Sequence, residues 1–321
     1  MTQHLSTIRF LHSGWCSQFA RLVGAPSWTW TRFYAVFVYF EHPEHGGCLI
    51  DTAYSDEFFH ATRWLPQRLY RWLTPVHLDE QGAANFPDNS ISRRALAPGC
   101  DVSPERKPDA SAFRLIPPEP LATPDEQRNA RDRLSAAGID PAGVRQIFVS
   151  HFHADHIAGL KCFPNAQFIY RREAFDRLQR QSVFAQVRHG YLRELIPPDF
   201  TQRGRPLDET RFTADEGDWQ GFQVCDFWGD GSLRLVDLPG HADGHFGFVL
   251  QSADTRLFYI VDACWHLQVL LDNSPLPWIS RRIQHDATAY FATQEKLRQL
   301  TERTGIELIA CHCPRTLHHV S

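Results

Sequence analysis

Three imidazoles and one carboxylate fall within six residues at His151-Phe152-His153-Ala154-Asp155-His156. Neutral imidazole nitrogen and carboxylate oxygen suit zinc and its first-row neighbours, so the chemistry this spacing offers is metal binding. In an extended segment alternate side chains share a face. His151 and His153 can therefore converge on one ion, while the turn that follows aims Asp155 and His156 at another. A solvated loop seldom carries this density of histidine with so little else that is polar.

Such a cluster needs a rigid support, and the residues before it supply one. Gln146 to Val149 is a short run of apolar, β-branched and aromatic character ended by Ser150, which reads as a buried strand. A strand that stops among ligands is a place to hold metal.

The HxHxDH pattern resembles the metallo-β-lactamase superfamily, and the rest of the chain continues the resemblance in order. Arg234 to Leu238 is strand-like and runs into Pro239-Gly240-His241-Ala242-Asp243-Gly244-His245, the PGHxxGH form that carries the third histidine there. Leu257 to Val261 is another apolar run and delivers Asp262; Ile306 to Ala310 delivers His312. Gly46 to Thr52 looks like the family's early strand, whose closing aspartate, here Asp51, orders the metal loops through hydrogen bonds without binding metal. A helical segment ending near Gly138 and the strand into the first motif add a second signature. The resemblance extends from about Ile8 to about Pro314.

What the resemblance implies is an α/β fold, a four-layer αββα sandwich, as one hydrolase domain over residues 1–321. His151, His153 and His241 would hold one divalent metal, and Asp155, His156 and His312 the other, with Asp262 and a water between them. Two cations ~3.5–4 Å apart make hydroxide available at neutral pH. Zinc is expected from the ligand types, while iron or manganese would also suit them. Asp155 has a further expected role, accepting or returning a proton as a tetrahedral species collapses.

Departures from the pattern narrow the branch. Asp262 stands where zinc β-lactamases put cysteine or serine, and His153 where flavodiiron oxidases use glutamate. The segment after Asp262 lacks the Gly-rich arginine motif of glyoxalase II, and no lysine- and glycine-rich arm suggests a tRNA-processing nuclease. The lactonase-like group remains, including the N-acyl-homoserine lactonases. Those enzymes place a tyrosine three residues after the bridging aspartate, and this chain has Trp265 there. An indole N–H donates one hydrogen bond but does not titrate like a phenol. Trp265 and Tyr54 are the substrate-binding candidates. The expected activity is opening a lactone or cleaving an ester. Phosphodiester or organophosphate hydrolysis is the alternative on the same fold, and a metal-binding redox sensor relying on Cys311 and Cys313 is the alternative of another class.

Composition fits these readings. A chain of 321 residues, 43% hydrophobic, can bury a large core. A net charge of −4 with scattered arginines gives no basic stripe for nucleic acid. No window reaches the ~18 apolar residues of a membrane helix, and no leader is evident, so a cytoplasmic protein with no membrane partner is expected. The eight cysteines lack a repeating spacing and read as free thiols. Two insertions, at about residues 55–125 and 171–212, should shape the pocket. In the first, Ser55 to Leu73 reads as a pair of short amphipathic helices broken at Pro66, forming a lid, a homodimer surface or simple packing. Trp28 and Trp30 precede a strand buried on both faces and are expected in the core.

Overall fold

The computed structural model describes residues 3–24, 28–78 and 129–319. Two sheets carry the fold. The first contains β1 (Ser6–Phe19), β2 (Trp30–His42), β3 (Gly46–Ile50), β4 (Val76–His77), β5 (Val144–Phe148), β6 (Gln167–Tyr170) and β7 (Gly204–Pro206), in the order β4-β1-β2-β3-β5-β6-β7. The second contains β8 (Thr213–Ala214), β9 (Gln223–Asp226), β10 (Leu233–Asp237), β11 (Phe246–Gln251), β12 (Arg256–Val261) and β13 (Glu307–Ala310), in the order β13-β12-β11-β10-β9-β8.

The side-chain alternation of β2 shows how the layers form. Val36, Val38 and Phe40 point one way and pack with Leu235, Phe248, Tyr259 and Ile309 of the second sheet. Ala35, Phe37 and Tyr39 point the other way. Their partners include α3 (Ala130–Ala136), α4 (Ala154–Ile157) and α5 (Arg172–Arg180). The outer face of the second sheet is covered by α8 (Leu267–Leu271) and α10 (Ala287–Thr304), through Leu267, Leu270, Leu297 and Leu300. Helix, sheet, sheet, helix is the expected four-layer sandwich. Strands buried on both faces read as continuous apolar runs, which is why β2 and β12 were legible.

The helical pair expected between Ser55 and Leu73 is α1 (Glu57–Ala61) and α2 (Arg68–Leu73), separated by a cis Leu65–Pro66 bond. Residues 79–128, the rest of that insertion, lie outside the described residues. The second insertion holds α5, α6 (Val183–Arg188), α7 (Phe200–Arg203) and the edge strand β7. Ser182 separates α5 from α6, its hydroxyl accepting the Ala185 N–H as the cap of α6. Trp28 and Trp30 correct an expectation: they are 68% and 44% exposed, stacked on or beside Phe19 at the end of the β1–β2 hairpin. No helix among the described residues is long and apolar enough to cross a membrane.

Candidate metal centre

The ends of β5, β10, β12 and β13 converge, and the seven residues singled out as ligands meet there. Asp262 lies at the middle: its Oδ2 is 3.2 Å from His241 Nε2, 3.3 Å from His312 Nε2, 3.5 Å from His156 Nε2 and 4.0 Å from His151 Nε2. Asp155 Oδ2 approaches His312 Nε2 at 3.2 Å and His156 Nε2 at 3.6 Å. His153 Nδ1 faces His241 Nε2 at 3.0 Å. His151, His153, His241 and Asp262 form one group with ligand atoms within 4.8 Å of one another, and His156, Asp262, Cys311 and His312 form a second.

The imidazoles are turned inward by hydrogen bonds on their other nitrogens. His156 Nδ1 donates to Asp51 Oδ2 at 2.8 Å, and His312 Nδ1 to the Tyr34 carbonyl at 2.9 Å. His241 Nδ1 donates to Gln284 Oε1 at 3.0 Å. Ser150 donates its hydroxyl to Asp51, which leaves Oγ to accept from His151 Nδ1 at 3.0 Å. These contacts fix one tautomer and leave Nε2 of His151, His156, His241 and His312 as acceptors toward the centre. Asp51 thus has the ordering role expected of it.

Backbone conformation aims the carboxylates. Val261, just before Asp262, has φ 52°, and Asp51 has φ 59°. A β-branched residue in the left-handed region costs on the order of 1–3 kcal/mol and marks a position the surroundings over-determine. Here the Asp262 N–H donates to His245 Nε2 at 3.2 Å, while His245 Nδ1 donates to the Leu238 carbonyl at 2.9 Å. Gly240 has φ +125°, and a Cβ there would stand 2.1 Å from the Tyr290 backbone nitrogen, so only glycine lets α10 approach the third motif.

The donor set fits divalent cations. His151 Nε2, His156 Nε2 and Asp262 Oδ1 are buried without a hydrogen-bond partner, a cost that bound cations would remove. Charge points the same way. Burial opposes charge at His156, yet Asp155, Asp51 and Asp262 raise its pKa well above the ordinary range, and Asp262 leads the same effect at His312. Burial also opposes ionisation of Asp155, but His156 and His312 hold its carboxyl at about 2. The carboxylates thus attract positive charge to this point. Across the centre, burial and the neighbouring His241 push His153 down to about 3, keeping it neutral.

Of the substrate candidates, Trp265 is half-buried with its ring edge-on to His241 at 5.7 Å. Tyr54 is 1% exposed, edge-on to Phe58. Burial, then Cys16 and Asp155, raises its hydroxyl well above the usual range. Sequence reading missed Tyr70, on α2, whose hydroxyl is raised by burial and then by Asp155. It also missed Gln284 and the Tyr34 carbonyl, neither of which lies in a motif. Cys311 and Cys313 diverge: Cys311 Sγ bonds the Val36 carbonyl between the sheets, and Cys313 Sγ accepts from the Leu267 N–H. His319 packs on Phe10 and reaches Glu307 at 3.2 Å.

Residues 119–255 match the family model described as the metallo-beta-lactamase superfamily. That match takes in 137 of the 321 residues. The N-acyl homoserine lactonase AttM of Agrobacterium fabrum is 31% identical over 191 residues, 59% of this chain and 66% of that protein. The chain spans just under two thirds of the length of these curated lactonase relatives. Among solved structures, a quorum-quenching N-acyl homoserine lactone hydrolase superposes with a TM-score of 0.62 at 14% identity, covering 98% of this chain and 96% of that one. AidC, a dizinc quorum-quenching lactonase in complex with a product, gives 0.57 at 14%, covering 98% and 89%. At such identities the superpositions establish the shared fold.

Proposed function

We propose that the protein is a dinuclear metal-dependent hydrolase that opens a lactone or cleaves a related ester. The observation that carries this reading is the ring of inward-facing imidazole nitrogens around Asp262, those of His151 and His156 buried without a hydrogen-bond partner. The lactonase names of the relatives support the substrate class. The zinc named for the AidC structure supports the metal.

In this reading His151, His153 and His241 would hold one cation and Asp155, His156 and His312 the second, with Asp262 available to both. The cations would supply Lewis acidity toward a substrate oxygen and a hydroxide nucleophile at neutral pH. Asp155 reaches the same space with a carboxylate that is ionised at neutral pH, as a proton acceptor requires, and it returns the proton to the departing alkoxide oxygen. Trp265 forms a wall beside His241. The hydroxyls of Tyr54 and Tyr70, kept protonated by burial and Asp155, are donors for a substrate oxygen. Gly190, after α6, closes the opposite side: its carbonyl accepts from the Ala154 N–H at 2.9 Å, against His153. We take residues 1–321 as one domain, since residues from His151 to His312 must meet, and place it in the cytoplasm.

A panel of lactones, simple esters and phosphodiesters, followed by proton release with and without chelator, tests this. Lactone opening abolished by chelation is expected. Phosphodiester cleavage without lactone opening would move the function to the other hydrolase class. Full activity in the Cys311→Ser/Cys313→Ser variant would remove the redox-sensor alternative, which already conflicts with two thiols buried at 1% and 2% exposure.

A further inference from the structure

Five of the nine tryptophans, Trp28, Trp30, Trp64, Trp72 and Trp278, are exposed, and they come from three stretches of chain. The same stretches provide nine of the eleven large exposed apolar side chains among the described residues, including Leu73 at 79%. Patches of this kind mark interaction sites.

The three stretches adjoin one another. β4, which follows α2, pairs with β1 at Cys16↔Val76, and the Ser17 N–H donates to the Pro75 carbonyl at 3.0 Å. From the other side of the β1–β2 hairpin, Ser280 of α9 (Trp278–Arg282) donates its hydroxyl to the Leu22 carbonyl. Gly24 packs against Val269 and Leu276. The hairpin end therefore joins α2 to α9. This rim borders the metal centre, since Gln284, next to exposed Ile283, holds His241, and Tyr34, four residues past Trp30, holds His312.

Charge specifies the partner. Residues 58–78 and 273–285 contain five arginines and no aspartate or glutamate, with Glu57, Asp79, Asp272 and Asp286 just outside them, in a chain of net charge −4. Arg63 and Arg68 lie over the rings of Trp64 and Trp72, 5.2 and 5.5 Å from the ring centres. Tryptophan and arginine interleaved on short exposed elements suit the headgroup boundary of a bilayer, where rings insert and guanidinium groups meet phosphate. An isologous pairing of two copies would set this basic surface against itself. We propose that the rim around the metal centre docks the protein on an anionic lipid membrane, with the site opening toward the lipid surface.

The test is co-sedimentation of the full chain with vesicles of phosphatidylcholine alone and of phosphatidylcholine mixed with phosphatidylglycerol, monitored also by tryptophan emission. The protein should pellet with the anionic vesicles, shift its emission to the blue, and be released as salt rises from ~0.05 to ~0.5 M. The Trp64→Ser/Trp72→Ser/Trp278→Ser variant should bind roughly tenfold more weakly with unchanged circular dichroism. Arg63→Gln/Arg68→Gln should weaken the preference for anionic over neutral vesicles. Protein that stays in solution with both vesicle types, or binds both equally, would overturn the proposal. So would a concentration-dependent dimer whose formation, rather than lipid, shifts the tryptophan emission.

Discussion

Around the metal centre each side chain leaves the end or the following turn of a strand and is gripped at its outer nitrogen; on α2 no residue is fully buried and neither end carries a side-chain cap. The difference separates two tasks. Groups proposed to share cations are fixed by two packed sheets and by polar partners such as Asp51, Ser150 and Gln284. The rim is held by short helices and a hairpin end and spends its large side chains on the surface. A damaged centre should therefore lose chemistry in proportion to how directly the residue faces Asp262, while a damaged rim should leave chemistry with soluble substrates in place.

The largest effect is expected at Asp262, which four imidazoles face. Asp262→Asn should lower metal content from about two to one or fewer per chain and reduce turnover by about 10³-fold or more, checked by elemental analysis beside steady-state kinetics. Next comes Asp155→Asn, where turnover should fall roughly 10²-fold or more while metal content changes less. Equal loss of both would make Asp155 a ligand without a proton-transfer role.

Gln284→Ala sharpens the contrast, because it removes the partner of His241 Nδ1, together with a bond to the Ser280 carbonyl, and leaves every proposed ligand in place. Metal affinity or activity should fall about 10- to 100-fold. Trp64→Ala, at an exposed rim position, should stay within about twofold on a soluble lactone. The smallest effect concerns acid stability. Burial and the neighbouring His241 push His245 down to about 3 in the fold, whereas an unfolded imidazole takes its proton near 6.5. Stability contributed by neutral His245 is thus present above pH ~6.5 and is lost as pH falls toward 3. Between pH 7 and pH 5 the metal-free chain should lose stability, and His245→Gln should lose less, by up to about 2 kcal/mol in urea titrations.

The same contrast explains what the sequence revealed. Strands buried on both faces announce themselves as apolar runs, and the polar residues where they stop are conspicuous, so His151, His241, Asp262 and His312 could be read with their supports. Asp51 was legible for the same reason. Gln284 and the Tyr34 carbonyl were not, because a glutamine after a short helix and a backbone oxygen carry no pattern until the fold brings them to an imidazole. Tyr70 lay in a helical pair whose apolar residues follow mixed spacing, and only its place on α2 separates its inward hydroxyl from the outward Trp72. Trp28 and Trp30 misled because large aromatic residues beside a buried strand are usually core, and here they end a hairpin that leaves the sheets.

The central claim is that Asp262 and six surrounding side chains form a two-metal centre. Elemental analysis of the untagged protein, purified without added metal and compared with the Asp262→Asn variant, tests it most directly. About two divalent ions per wild-type chain, with zinc predominant and the variant depleted, is the predicted result. A wild-type protein that holds no metal, even after dialysis against zinc, would contradict the account.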